Sequence, residues 1–174
     1  MALAVCLLLT PADERAVRGL WRRVEDAGVP SMVSHTHGLH APHLSYAVLR
    51  SFDVTAVRTA VTALPDGGPL PLHLSAVATA PRGRVWLVPA PSAELVRRQR
   101  DVVDAVTASG ADLHRHYVPG RWVPHVSVAP RVRLADLPVV TDVAYAVLPL
   151  DVTASRAALI DSATGERWPL GTVP

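Results

Sequence analysis

The chain opens on an unbroken apolar run, residues 2–9, which reads as a strand buried on both faces. Thr10 follows as an N-cap, Pro11 suits the first helical position, and Asp13 and Glu14 complement the helix dipole. Val17, Leu20, Trp21 and Val24 recur at helical spacing, predicting a helix to about residue 27 with Gly28 as its stop. A polar, histidine-rich loop leads into a strand predicted over about residues 42–52. Asp53 caps a second helix carrying Val57, Ala60, Val61 and Leu64, which Pro65-Asp66-Gly67-Gly68 ends.

The pattern then starts again. Strands are predicted over residues 70–80 and 84–88, with Pro81-Arg82-Gly83 as the turn between them. Ser92 caps a helix whose Leu95, Val96, Gln99, Val102, Val103 and Val106 keep the 3.6 period, and Gly110 lies just past its end. Residues 121–129 read as a strand and residues 136–147 as a helix. A hairpin of residues 150–160 and 166–170, turning at Gly165, closes the chain.

A shift of 82 residues lays Thr10 on Ser92, Gly28 on Gly110, and Pro42-His43-Leu44-Ser45 on Pro124-His125-Val126-Ser127. Each half therefore reads strand, helix, strand, helix, strand. Two copies are too few for a solenoid. The expectation is one α+β domain over residues 1–174, bilobal, with pseudo-repeats of approximately 1–80 and 83–174 related by a pseudo-two-fold axis.

Composition narrows the function. With 174 residues, 49% of them apolar and 18% charged, the chain can bury one core and is not disordered. One cysteine, Cys6, excludes an internal disulfide framework and reads as inert packing. The first apolar run is too short to span a bilayer and lacks a basic lead-in, so no membrane association and a cytoplasmic location are expected. All basic residues are arginine, so a basic side chain that grips phosphate is a guanidinium fork or a histidine. A net charge of +2 suits a small anion or a strand terminus better than a long duplex.

The repeated Pro-His-x-Ser carries the chemistry. Residues i and i+2 of a strand share a face about 6.5 Å apart, so His43 projects beside Ser45, and His125 beside Ser127. Two imidazoles facing each other across a cleft form a general acid–base pair near neutral pH, and two hydroxyls can donate to non-bridging phosphate oxygens.

In this the chain resembles the 2H phosphoesterases, and among them the 2′-5′ RNA ligase-like (LigT-like) RNA 2′,3′-cyclic phosphodiesterases. That family is defined by two His-hydrophobic-Ser/Thr-hydrophobic tetrads, here His43-Leu44-Ser45-Tyr46 and His125-Val126-Ser127-Val128, the second led in by Arg121-Trp122-Val123-Pro124. Tyr46 departs from the usual aliphatic residue, and Ala129-Pro130 precede Arg131 where members often carry a basic residue sooner. The resemblance implies two antiparallel sheets flanking a central cleft with helices outside, and metal-independent chemistry without a cofactor. His43, His125, Ser45 and Ser127 would be the catalytic residues. The implied reaction opens a 2′,3′-cyclic phosphate on an RNA terminus or nucleotide to a 2′-phosphomonoester, with a weak reverse 2′-5′ ligation in some members. A monomer with no obligate protein partner is expected.

Candidate substrate contacts are His37, Tyr46, Tyr117, Arg121, Trp122 and Arg131. A third match to the tetrad, His73-Leu74-Ser75-Ala76, has no mate at the 82-residue shift and is not expected to be catalytic. His35, His37, His40 and His43 could suggest zinc, but no carboxylate lies among them and no metal site is expected. Trp86 reads as core. Two other functions fit the same motifs: a binding module for RNA ends or nucleotides with little catalysis, and an enzyme of this type acting on another small phosphodiester.

Overall fold

A computed structural model describes residues 2–174. Its elements follow in the order β1 (Leu3–Leu9), α1 (Pro11–Asp26), β2 (His43–Ser51), α2 (Val54–Thr62), β3 (Leu70–Ala80), β4 (Arg84–Pro89), α3 (Ala93–Ala108), β5 (Asp112–Leu113), β6 (Val126–Ala129), α4 (Leu137–Tyr145), β7 (Leu150–Asp161) and β8 (Arg167–Leu170). The helix ends are built as the caps predict. Thr10 accepts from the Asp13 amide and Ser92 from the Leu95 amide, both through the side-chain hydroxyl. Gly28 and Gly110 take φ values of 85° and 83°, the left-handed geometry that ends a helix with least strain on a residue without Cβ.

Every strand pairing is antiparallel. The order runs β1-β2-β6-β4-β3-β7-β8, and β1 also pairs with β7. The two sheets expected from the sequence are thus joined along both margins: β3 and β7 share five residue pairs, whereas β2 and β6 meet at one, Leu44 opposite Val126. The order reads the same when β1, β2 and β3 are exchanged with β4, β6 and β7, so the connectivity carries the two-fold relation that the 82-residue shift suggests. β1 is buried along its whole length, as its apolar run requires. α1 packs Val17, Leu20, Trp21 and Val24 inward, and α3 packs Leu95, Val102, Val103 and Val106. Val96, counted with that face in the sequence, is half exposed, because it lies at the rim of the α3 stripe.

The strand expected over residues 121–129 begins only at Val126. Pro124 has no amide to donate, and the Arg121 and Trp122 amides bond back to the Val118 carbonyl, which draws residues 118–122 into a turn. Three short features carried no sequence signal: β5, and 3₁₀ turns at Arg115–Tyr117 and Leu134–Asp136. Among the described residues, no helix is long and apolar enough to cross a membrane.

Candidate active site

The single β2–β6 pair sets the geometry. Leu44 and Val126 are fully buried beneath the sheet. Counting outward from them in antiparallel sense sets His43 across from Ser127 and Ser45 across from His125. Side chains directly opposite on adjacent strands have Cβ atoms roughly 4.5–5.5 Å apart, and diagonal neighbours roughly 7–8 Å. Each imidazole therefore faces the other half's hydroxyl, with the second imidazole diagonal to it.

Both rings are held alike. His43 Nδ1 lies 2.7 Å from the Ala41 carbonyl, and His125 Nδ1 lies 2.7 Å from the Val123 carbonyl. A carbonyl only accepts, so each Nδ1 carries a proton and each Nε2 is the nitrogen left for chemistry. The proline between each pair fixes the approach: Pro42 and Pro124 hold their segments extended, with the preceding carbonyl turned back to the ring. The serines are braced in parallel fashion. Trp122 Nε1 donates to the Ser45 carbonyl at 3.0 Å, and Trp21 Nε1 donates to the Ser127 carbonyl at 2.9 Å.

Electrostatics separate the two rings. Burial works most strongly against charge on His43, but the Cys6 sulfur and the Ala41 carbonyl outweigh it, and its pKa rises to about 9. Burial lowers the pKa of His125 below the usual imidazole value, with His43 and Arg84 adding to the fall and the Val123 carbonyl resisting it. His125 also stacks on Trp86, ring centres 4.1 Å apart. Cys6, opposite Ser45 in the β1–β2 register, sets its Sγ 3.4 Å from the Ser45 hydroxyl. The sequence reading of Cys6 as inert packing missed this contact. It could have been found by noting that the β1 residue opposite Ser45 is its only polar one.

A cleft of about 770 Å³ opens over His125 and Ser127, within the roughly 300–1,000 Å³ usual for ligand sites. Trp86, Tyr117, Trp122, Arg82, Arg84, Arg115, Arg121, His114 and His116 lie around it. Tyr117, Arg121 and Trp122 were expected near substrate. Trp86 was expected in the core; the alternation of β4 turns Val85 and Leu87 inward and leaves Trp86 on the cleft side.

Three expected contacts lie elsewhere. Tyr46 is wholly buried, because alternation along β2 puts it on the face of Leu44, away from His43 and Ser45 and toward Glu94, Arg97 and Arg98 at the start of α3. Its ring is 6.2 Å from Trp122, and its hydroxyl finds no partner. His37 packs against Gly165 in the β7–β8 turn and on His40, ring centres 4.3 Å apart, away from the cleft. Arg131 is exposed near His35.

The histidine loop does not converge on a point. His35 and His40 stack at 5.3 Å, and His40 Nε2 is bonded to the Thr36 hydroxyl at 2.9 Å. Burial and its histidine neighbours lower the His40 pKa to about 4. Among the described residues, no three His, Cys, Asp or Glu side chains come together as a metal would need. His73 sits on the surface, with Nδ1 2.7 Å from Asp151.

Comparison with known proteins agrees with this architecture. No curated protein sequence matches the chain. The structure resembles that of Escherichia coli LigT complexed with 3′-AMP, with a TM-score of 0.65, 16% identity, and 98% of each chain covered. It also resembles the apo form of E. coli LigT, with a TM-score of 0.64, 16% identity, and 99% of this chain and 95% of that one covered. A structure described as a phosphoesterase aligns with a TM-score of 0.63 at 17% identity, over 98% of this chain and 95% of its own. A sequence model of the 2′-5′ RNA ligase superfamily matches residues 11–166. With nearly the whole chain inside that match, and both tetrads within it, the protein belongs to the 2′-5′ RNA ligase superfamily.

Proposed function

We propose that the protein is a phosphodiesterase that hydrolyses a 2′,3′-cyclic phosphate on a nucleotide or RNA end to a 2′-phosphomonoester, with His43 as acid and His125 as base. The observation that supports the reading is the Leu44–Val126 pairing, which sets His43 across from Ser127 and Ser45 across from His125. The chemistry closes with these groups alone. Neutral His125 takes a proton from water as the water oxygen bonds to phosphorus. The P–O3′ bond breaks, and charged His43 gives its proton to O3′. The hydroxyls of Ser45 and Ser127 donate to the non-bridging oxygens, where charge accumulates.

The split in pKa supports this division of roles. At neutral pH a ring held near 9 is an imidazolium and a ring held below the usual value is neutral. The aromatic wall of Trp86, Tyr117 and Trp122 suits a nucleoside base. LigT structures with 3′-AMP, ATP and NADP⁺ bound are consistent with a nucleotide in this cleft.

The test is incubation with nucleoside 2′,3′-cyclic phosphates followed by phosphorus NMR. A 2′-monoester signal that survives EDTA is expected. Binding without product at any neutral pH would overturn the reading.

A further inference from the structure

The cleft is more cationic than one reacting phosphate requires. Four arginines and three histidines surround it, and no aspartate or glutamate does. Elsewhere Arg18, Arg50, Arg97, Arg98, Arg133 and Arg156 each meet a carboxylate, while the other arginines lie scattered over the surface; what sets the cleft apart is four arginines gathered with no acid among them. Among the described residues, Arg82, Arg84, Arg115 and Arg121 meet none.

Two local structures hold this charge in place. Arg82 occupies the β3–β4 turn with φ 67°, a left-handed backbone that a side chain such as arginine rarely adopts. The next residue, Gly83, is clamped against Val132: its carbonyl accepts from the Val132 amide at 2.8 Å, and a Cβ there would collide with the Val132 backbone. The turn is therefore fixed, and a strained arginine is kept where glycine or asparagine would sit more easily. Across the cleft, the 3₁₀ turn sets His114 and His116 with ring centres 5.0 Å apart, flanking Arg115. His114 Nδ1 accepts from the His116 amide at 3.4 Å, so its Nε2 carries a proton. Burial, then His116, Arg50, Arg115 and Arg84, press its pKa below the usual value. A bound anion would relieve that crowding.

We propose that Arg82, Arg84, Arg115 and the His114–His116 pair form a second anion subsite, which takes a non-reacting phosphate of the ligand whose other phosphate lies at His43 and His125. This rests on the function proposed above only for the second position. Guanidinium forks match phosphate oxygens in bidentate fashion, and the intervening aromatic wall suits a nucleoside joining the two phosphates. The ligand is a nucleotide with two phosphates, the second being either a terminal monoester or an internal diester of a longer strand.

The experiment measures equilibrium binding of adenosine 2′-phosphate, adenosine 2′,5′-bisphosphate and a dinucleotide ending in a 2′-phosphate, none of which needs to react. At low salt the two-phosphate ligands should bind at least about tenfold tighter than the monophosphate, the scale of a charge-assisted contact. That advantage should shrink with salt. In an Arg82→Gly/Arg115→Ala variant it should fall to within about threefold. Arg82→Gly suits the left-handed turn, and unchanged thermal unfolding would show that charge and not fold was lost. An advantage for the bisphosphate alone identifies a terminal monoester, and for the dinucleotide alone an internal diester; both uphold the subsite. Equal binding of all three ligands, or an advantage kept in the variant, overturns it. Cyclic-phosphate turnover is read separately: turnover without the binding advantage removes only the subsite, and the advantage without turnover removes only the hydrolase reading.

Discussion

The Sγ of Cys6 lies 3.4 Å from the hydroxyl of Ser45, beneath the ring of His43 and within the hydrogen-bonded core of β1 and β2. The residue in the matching register of the second half, opposite Ser127 in the β4–β6 pairing, is Trp86, which stacks on His125 and brings no sulfur. The thiol is thus the point at which two otherwise matched half-sites become chemically different.

Replacing it should be visible in the pH profile. The alkaline limb of kcat/KM, which reports loss of the proton from His43, is expected near 9 in the unaltered protein. Cys6→Ala should move that limb toward the ordinary imidazole range, and Cys6→Ser should lie between. The acid limb, where His125 becomes protonated, should stay below 6.5 in both variants. An alkaline limb unmoved in Cys6→Ala would show that the sulfur does not set the His43 proton.

The histidines themselves should behave as separable acid and base. His43→Ala and His125→Ala are each expected to lower cyclic-phosphate turnover by roughly 10²–10⁴-fold, the usual worth of one positioned proton transfer. His43→Ala should abolish the alkaline limb and His125→Ala the acid limb. Steady-state rates across pH 5–10, with circular dichroism to check folding, measure this. Full activity in either variant would exclude the two-histidine mechanism.

Tyr46→Phe should stabilise the protein. The buried hydroxyl has no hydrogen-bond partner, and an unsatisfied buried polar group costs about 1–3 kcal/mol. Chemical denaturation should show a higher midpoint with an unchanged slope. A lower midpoint would mean that the hydroxyl is hydrogen-bonded after all.

Trp21→Phe and Trp122→Phe remove the indole donors from the Ser127 and Ser45 carbonyls. Trp21 is fully buried, so its variant should lose about 1–3 kcal/mol through the stranded carbonyl. Trp122 lies at the cleft, where water can replace the donor, so its variant should lose less stability and raise KM. Denaturation midpoints and Michaelis constants for the pair distinguish the two roles. Equal stability losses in the two variants would contradict the difference in burial.

Much of this was legible from residue order because caps, glycine stops and the buried run of β1 act locally. Thr10, Ser92, Gly28 and Gly110 behave as their neighbours in sequence dictate. The tetrads were legible as motifs for the same reason. What sequence could not supply was contact between distant strands. Cys6 meets Ser45 across 39 residues, and Trp21 meets Ser127 across 106. Tyr46 misled through its place in the tetrad, although alternation already puts it with Leu44 on the face turned away from His43 and Ser45. His37 misled through simple proximity in sequence to His43; the loop carries it to the β7–β8 turn instead.

The strand circuit that reads the same after exchange of its halves has a further consequence. A half of this chain associating with a copy of itself through β2 would form a homodimer with two identical imidazoles, and identical groups share one affinity for protons. Neither could be assigned to donate while the other receives. Joining the halves in one polypeptide lifts that constraint, since the residues facing Ser45 and Ser127 are then free to differ, here Cys6 and Trp86. In the mechanism proposed above, the covalent link between the repeats is what would let a near-symmetric scaffold pass protons in one direction.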